Sequence, residues 1–172
     1  NKKVFRYLSL HSKIVIAVTS ILIICGALLI FVFEYSNPLT IGNMALSDKI
    51  QVSLFQSITT RTAGFASVPQ ENLTDPSTVV SMLLMLIGGS PVGTAEGIKT
   101  VTVAVLFCSA FATITNKNSA SLFGRSISES FVKKAVAVVV AFVTICTVST
   151  VLMLTICNAP AIDVIYETVS AS

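Results

Sequence analysis

Residues 55–65 of this chain read FQSITTRTAGF, and the fold of the whole chain depends on where this stretch lies. Its first six residues are the end of a short apolar segment, residues 47–60, that has the character of a helix. Ser47 is a suitable N-cap, and Asp48 suits the positive end of the helix dipole. The sequence therefore predicts a short helix that ends at a glycine-containing turn over residues 61–65.

The sequence on either side of this stretch is that of an integral membrane protein. The 172-residue chain is 53% hydrophobic and 11% charged, with a mean hydropathy of +0.87. Soluble domains carry about 25% charged residues. Residues 14–33 and 135–157 contain no charged residue, and a run of ~20 apolar residues crosses a bilayer core. The composition excludes an ordinary cytosolic enzyme, a disordered tail and a nucleic-acid-binding domain.

The distribution of charge orients these two spans. Basic residues precede the first span and lie within residues 117–134, whereas the other flanking segments are mainly acidic. Lysine and arginine cluster on the cytoplasmic side, so the N-terminus and residues 117–134 are expected in the cytoplasm. One net crossing must then lie between the spans, and residues 77–115 provide it. Residues 47–60 are too few to span, so they are expected to enter the membrane and return on the same side.

The crossing over residues 77–115 is interrupted in its middle. Asp75 and Pro76 give it a clear start, as N-cap and first helical residue. Residues 88–97 then read GGSPVGTAEG, which cannot sustain a regular helix, and helical character resumes at about Ile98. A break at membrane depth leaves backbone groups unpaired, so this segment is expected beside an aqueous path, as in the broken helices of transporters.

The chain also contains a weak internal repeat. Residues 54–60, LFQSITT, match residues 165–171, IYETVSA, in their order of apolar and polar side chains. Each copy follows an outward-running span and a short polar connection. The pattern predicts similar units arranged around a shared centre.

Two motifs of this chain, in this order, resemble the Trk/Ktr/HKT family of potassium transporters. They are residues 55–65 and residues 88–100, GGSPVGTAEGIKT, and they are most similar to the third repeat of the membrane subunit of bacterial Ktr and Trk systems. The resemblance implies an all-α membrane protein with pore-loop repeats, here a fragment of a four-repeat fold. Each repeat would consist of a helix, a re-entrant pore helix with its filter, and a broken second helix.

The resemblance also divides the chain into parts. Residues 1–116 would form one complete repeat, with its re-entrant part at 47–65 and its broken helix at 77–115. Residues 117–134 would be a cytoplasmic loop. Residues 135–172 would be the first helix and part of the pore helix of the next repeat.

The resemblance implies that Thr62, Ala63, Gly64 and Phe65 form one quarter of a K⁺ selectivity filter. The backbone carbonyls of Thr62, Ala63 and Gly64 would bind K⁺ as a metal ion in place of its water. Residues 88–97 would form the intramembrane loop that gates the pore below the filter. The residues assigned to this gating loop are Gly88, Gly89, Ser90, Pro91, Gly93, Thr94, Glu96, Gly97 and Lys99.

Each of these assignments has a structural alternative. Gly64 would be a C-cap glycine if the turn lay at a surface. Arg61 is expected to be an interfacial anchor or a structural partner behind the filter, because a cation in the path would repel K⁺. Glu96 and Lys99 have the i, i+3 spacing of an ion pair, and the functional alternative is a charge that helps to set the gate. The glycines of residues 88–97 could instead serve close helix packing.

The expected function is K⁺ transport across the plasma membrane by a multi-pass protein, with K⁺ as the transported ion and Na⁺ as a candidate coupling ion. The expected partners are the lipid bilayer, the remaining repeats of the pore, a second copy in a homodimer, and a cytoplasmic ring of nucleotide-binding regulatory subunits; nucleic acid is not expected. The alternative is a non-transporting membrane subunit that packs against partner helices. No enzyme activity is expected, because H-E-x-x-H and G-x-S-x-G motifs are absent.

Overall fold

A computed structural model describes residues 9–61, 63–88, 98–115, 121–122, 125–157 and 159–171. The α-helices within these residues are α1 Leu10–Glu34, α2 Leu46–Thr59, α3 Asp75–Leu86, α4 Thr100–Ile114, α5 Glu129–Ile156 and α6 Ala161–Ser170. A 3-10 helix spans Gln70–Asn72, and two short strands, β1 Ser121–Leu122 and β2 Arg125–Ser126, pair antiparallel. Within these described residues all regular structure is therefore helical apart from this pair of two-residue strands, in agreement with the all-α class that the sequence predicts.

Two of these helices are long and apolar enough to cross a membrane. In the part of the chain that the structure describes, these stretches are His11–Glu34 in α1 and Glu129–Ile156 in α5. The first contains the uncharged run at residues 14–33, and the second contains the run at 135–157 up to Ile156. Both turn large apolar side chains outward. Ile21 on α1 is 60% exposed and Ile145 on α5 is 62% exposed. Surfaces of this size and polarity are covered by lipid or by partner helices rather than by water.

The helix packing places the short helix α2 against the first span. α1 contacts α2, α3 and α4, while α5 lies between α4 and α6, and α6 returns to contact α3. α1, α2 and α3 meet at Gly26, where a Cβ would lie 2.5 Å from Ser57 Oγ and 2.8 Å from Leu84 Cδ1. The Ser57 hydroxyl donates to the carbonyl of Ile23 at 2.9 Å. The missing side chain of Gly26 therefore lets α2 approach closely enough to bond to the backbone of α1.

The polarity of α2 is the reverse of that of a helix on a soluble protein. Its buried residues are Lys49, Ser53, Gln56, Ser57 and Thr59. Its large exposed side chains are Leu46, Ile50, Leu54, Phe55 and Ile58. An amphipathic helix in water buries its apolar face, so a helix that buries its polar face is suited to apolar surroundings.

Two predicted helix starts are wrong, that of α2 by two residues and that of α3 by one. α2 begins after Ala45 because the Lys49 N–H already donates to the Ala45 carbonyl at 2.9 Å, so Ser47 is not the N-cap and its hydroxyl instead donates to Asp48 at 3.3 Å. α3 begins at Asp75 after an N-cap at Thr74, which puts Asp75 inside the helix and Pro76 at its second position. Asp48 does lie in the first turn of α2, as predicted.

Candidate functional site

The chain turns back on itself directly after α2. The carbonyl of Thr59 accepts hydrogen bonds from the N–H groups of Ala63, at 3.0 Å, and Gly64, at 3.2 Å. Gly64 makes this turn with a φ of +74°. An L-residue in this left-handed region costs about 1–2 kcal/mol, so the turn favours glycine. The turn between Thr59 and Gly64 therefore both ends α2 and reverses the chain.

A buried hydroxyl fixes the far side of the turn. Thr59 is 5% exposed, and its Oγ1 accepts from the N–H of Phe65 at 2.8 Å and donates to the carbonyl of Phe65 at 2.6 Å. Both backbone polar groups of Phe65 are thereby paired with one side chain. The sequence alone gives no sign of this role for Thr59, because the contact depends on the turn between the two residues.

The carbonyl oxygens inside the turn are available to an ion. Backbone N–H groups in the described ranges do not donate to the carbonyls of Ala63 or Gly64, and both residues are exposed. In a medium of low polarity an unpaired carbonyl needs a partner, and a cation can serve as one. Ala63 and Gly64 supply two of the three carbonyls predicted to bind K⁺. The third, that of Thr62, lies outside the described residues.

A cavity of ≈ 260 Å³ lies beside this turn. Gly64 and Phe65 line it on one side, while Tyr166 and Glu167 of α6 line it on another. The turn after α2 thus lies beside α6, the helix whose sequence matches that of α2 in the internal repeat.

A second pocket, of ≈ 370 Å³, lies next to α6 and carries a high density of acidic residues. Its carboxylates are those of Glu71, Asp75, Asp163 and Glu167. Glu167 also lines the cavity beside Gly64, so the two spaces share a wall. A cleft lined by charges of one sign raises the local concentration of counter-ions, here cations.

Arg61 joins the turn after α2 to the end of α3. Its Nη2 donates to the carbonyl of Gly88 at 3.2 Å, and Gly88 is buried. The Ile98 N–H donates to the carbonyl of Leu86 at 3.0 Å, so the chain returns after residue 97 to the point where it left α3. Arg61 is therefore a structural partner of the backbone, which is one of the two roles that the sequence analysis expects for it, the other being an interfacial anchor.

The gating-loop assignments fall largely outside the described residues. Gly88 accepts the bond from Arg61, and Lys99 is the N-cap residue of α4. The remaining assigned residues, which lie outside the described ranges, are Gly89, Ser90, Pro91, Gly93, Thr94, Glu96 and Gly97. The proposed pair of Glu96 and Lys99 accordingly stays a prediction.

The most densely bonded carboxylate of the described chain was not singled out by the sequence. Glu34, at the end of α1, is 1% exposed and accepts four hydrogen bonds. Asn37 Nδ2 and Thr40 Oγ1 donate to its Oε2 at 2.7 and 2.6 Å, and Thr74 donates to its Oε1 from both N and Oγ1, at 2.9 and 2.6 Å. Glu34 thus ties the end of α1 and the following turn to the start of α3, where the helix dipole favours a negative charge.

A buried lysine makes the corresponding link between α1 and α2. Lys49 is 7% exposed, its Nζ donates to the carbonyl of Tyr35 at 2.9 Å, and it lies 4.1 Å from the centre of the Tyr35 ring. Tyr35 is the C-cap residue of α1, so a cation meets the negative end of that helix. Glu34 and Lys49 together fix α2 and α3 to one end of α1.

Comparison with known proteins shows the family to which the chain is similar. A family model described as "TrkH: Cation transport protein" matches residues 2–172. The chain is 36% identical over 167 residues to Ktr system potassium uptake protein B of Bacillus subtilis, and 33% identical over 170 residues to the protein of the same name in Vibrio alginolyticus. These matches cover 97% and 99% of this chain but 38% and 37% of the relatives.

A further relative is Potassium/sodium uptake protein NtpJ of Enterococcus hirae, which is 32% identical over 142 residues. That match covers 83% of this chain and 31% of the relative. The chain therefore spans less than two fifths of the length of these curated relatives.

Proposed function

Since the chain belongs to the TrkH family of cation transport proteins, we propose that it forms part of a pore through which K⁺ crosses the plasma membrane. The observation that carries this proposal is the turn at Gly64, where the carbonyls of Ala63 and Gly64 accept no hydrogen bond from a backbone N–H of the described residues and Gly64 lines a cavity. Two similar proteins are named for potassium uptake and a third for potassium and sodium uptake. K⁺ is therefore the proposed transported ion, and Na⁺ is the candidate coupling ion.

The ion would lose its water at a ring of carbonyl oxygens. Residues 62–65 of this chain would supply one quarter of that ring, and the other repeats of the full-length protein would supply the rest. Carbonyl dipoles replace the hydration shell of K⁺ without a net charge that would hold the ion too tightly to release it. Thr59 would keep the filter segment in place from behind through its two bonds to Phe65.

The acidic pocket would serve as the outer vestibule of the pore. From the charge distribution we expect its four carboxylates on the side away from the cytoplasm. Glu167 borders both the pocket and the cavity beside Gly64. A negative vestibule raises the concentration of cations at the filter without selecting among them. Selectivity would then be left to the carbonyls.

The division into repeats remains our proposal, with residues 1–116 as one unit and residues 135–172 as the start of the next. The burial of corresponding positions in α2 and α6 supports this division. Ser53 and Ser57 are buried in α2, and Val164 and Thr168 are buried in α6. These pairs correspond under the same alignment that matches residues 54–60 with 165–171, so both short helices turn equivalent positions inward.

Residues 88–97 would gate the pore below the filter. The hydrogen bond between Ile98 and Leu86 brings the two ends of this segment together. Arg61 binds the carbonyl of Gly88, at its first residue. A loop whose ends meet can move aside while the helices that carry it stay in place. Arg61 would link this loop to the filter segment.

The localisation and assembly follow the same proposal. The protein would be a multi-pass protein of the plasma membrane, with its N-terminus and residues 117–134 in the cytoplasm. A second copy of the chain and a cytoplasmic nucleotide-binding ring are the proposed protein partners.

The experiment that tests the function uses the full-length parent protein in lipid vesicles. We expect K⁺ to enter these vesicles faster than vesicles without protein, and faster than Na⁺ at equal concentration. A non-transporting subunit that only packs against partner helices would give no flux in either ion. Intact, correctly inserted protein without flux would therefore decide for that alternative.

We predict that shortening the loop raises the flux. In a variant whose residues 89–97 are replaced by a shorter glycine–serine linker, the bonds at Gly88 and Ile98 can still form, but the obstruction is smaller. K⁺ uptake into vesicles should rise several-fold. A matched variant shortened within residues 116–120, in the proposed cytoplasmic loop, should transport like the parent. Unchanged or lower flux in an inserted, intact loop variant would count against the gate.

A further inference from the structure

We propose that Gln70 is a positioning residue that sets the separation between consecutive pore helices and thereby the discrimination of K⁺ from Na⁺. This inference rests on the proposed function, because it assigns a role in ion selection to a contact beside the filter. Neither the motifs of the sequence nor the resemblance singled out Gln70. The structure does so through three hydrogen bonds made by one side chain.

The side chain of Gln70 joins α2 to α6. Its Oε1 accepts from Gln56 Nε2 at 2.8 Å and from the Tyr166 hydroxyl at 3.0 Å. Gln56 belongs to α2 and Tyr166 to α6, so one oxygen atom ties the pore helix of one proposed repeat to that of the next. Tyr166 and Gln70 are far apart in sequence, and the bond between them is therefore a tertiary contact.

The geometry of Gln70 is fixed on its other side as well. Its Nε2 donates to the carbonyl of Val68 at 3.1 Å, and Val68 is buried at 6% exposure. This bond determines which end of the amide carries the oxygen, because the nitrogen is held by an acceptor. Gln56, at 1% exposure, has little freedom to move. The clamp of Gln56, Gln70 and Tyr166 thus has one bonded arrangement, with donors and acceptors matched.

The clamp lies next to the proposed ion path. Gln70, Tyr166 and Gly64 line the same cavity of ≈ 260 Å³, and Gln70 follows Phe65 by a short stretch of chain. The distance between α2 and α6 is therefore coupled to the position of the carbonyls at Gly64. Selectivity by carbonyls depends on how far they can follow a smaller ion inward. When the clamp fixes the distance between α2 and α6, it limits that movement of the carbonyls. Without the clamp the carbonyls could move closer to the smaller ion, and the filter would accept Na⁺ more readily.

The experiment compares three variants of the full-length protein in vesicles. Tyr166→Phe removes the bond between the repeats and keeps the ring, while Gln70→Met removes the whole clamp at nearly constant length. Tyr35→Phe is the matched control, because it removes a tyrosine hydroxyl away from the cavity. The measurements are the ratio of K⁺ to Na⁺ uptake and the maximal K⁺ rate.

We expect the K⁺/Na⁺ ratio to fall about two- to tenfold in Tyr166→Phe, as for the loss of one hydrogen bond, and further in Gln70→Met. The maximal K⁺ rate should not fall, since a general loss of structure would lower it. The control should match the parent in both. Unchanged ratios in both variants, with a selective parent, would overturn the inference and leave the proposed function standing.

A double variant separates the remaining outcomes. If the clamp exists, the effects of Gln70→Met and Tyr166→Phe on thermal unfolding in detergent are not additive. Additive effects would show that the two side chains do not interact and would overturn the inference. A parent without K⁺ flux would refute the proposed function, and the role of Gln70 in selection with it, even if the coupling is found.

Discussion

Replacing Gly64 by serine is expected to remove most of the preference for K⁺ over Na⁺ that we propose for the full-length protein. The expected change in the uptake ratio is about five- to thirtyfold, corresponding to a backbone strain of about 1–2 kcal/mol. The measurement is paired uptake of K⁺ and Na⁺ into vesicles at equal concentration. K⁺-dependent growth of cells that rely on this transporter provides a second readout.

The reason for this effect lies in the backbone alone. Gly64 has a φ of +74°, and a Cβ built at this position meets no atom within 4 Å. Serine would therefore fit the space and still be strained, because an L-residue rarely adopts this φ. Relaxation of the strain rotates the peptide units on both sides of residue 64. The carbonyls of Ala63 and Gly64 would then leave the positions in which we propose that they replace the water around K⁺.

Two comparison variants isolate this cause. Ala66→Ser adds the same hydroxyl to the same segment, at an exposed position, and should retain the preference for K⁺. Gly64→Ala adds a Cβ without a hydroxyl and should behave like Gly64→Ser. If Gly64→Ser kept the growth and the uptake ratio of the parent, the assignment of residues 62–65 as a filter would be wrong.

Replacing Glu34 by leucine should have the largest effect on stability. Four hydrogen-bond donors from Asn37, Thr40 and Thr74 would lose their acceptor inside the protein. Each buried polar group left unpaired costs roughly 1–3 kcal/mol, so the total should reach about 4 kcal/mol or more. We expect most of the protein to lose its monodisperse, folded form in detergent, as measured by size-exclusion chromatography and thermal unfolding.

The controls for this prediction use other carboxylates and a smaller change. Glu71→Leu removes an exposed carboxylate near the same end of the fold and should leave the unfolding temperature nearly unchanged. Glu34→Gln retains one acceptor oxygen for Thr74 but offers an N–H₂ group to Asn37 and Thr40, so it should be intermediate. A Glu34→Leu protein as stable as the parent would contradict the role of this residue as the link between α1 and α3.

The sequence predicts the parts of this fold that depend on local composition. The uncharged run at residues 14–33 lies within α1, and the run at residues 135–157 lies within α5 except for Cys157, its C-cap residue. A long apolar run has few alternatives to a spanning helix. The helix starts were less accurate. Thr74, rather than Asp75, is the N-cap residue of α3, since its carbonyl accepts from the N–H of Thr78. The N–H of Thr74 itself donates to Glu34, a partner in a distant part of the sequence.

The same distinction applies to the candidate site. Gly64 could be identified from its motif, since a turn with positive φ requires a particular residue type. Thr59 and Gln70 could not, because a threonine in a helix and a glutamine in a loop have many ordinary roles. Their importance follows from contacts across the fold, to Phe65 and Tyr166, that only the assembled helices create.

The bond between Ile98 and Leu86 has an evolutionary consequence. It closes the base of the segment between α3 and α4, so insertions and deletions within that segment leave the register of both helices unchanged. Natural selection can therefore vary the length and charge of this segment, and with them the speed of the gating that we propose for it, without changing the packing of the helices. Differences in activation between related transporters are expected to concentrate there, while the positions around Gly26 and Glu34 stay constant.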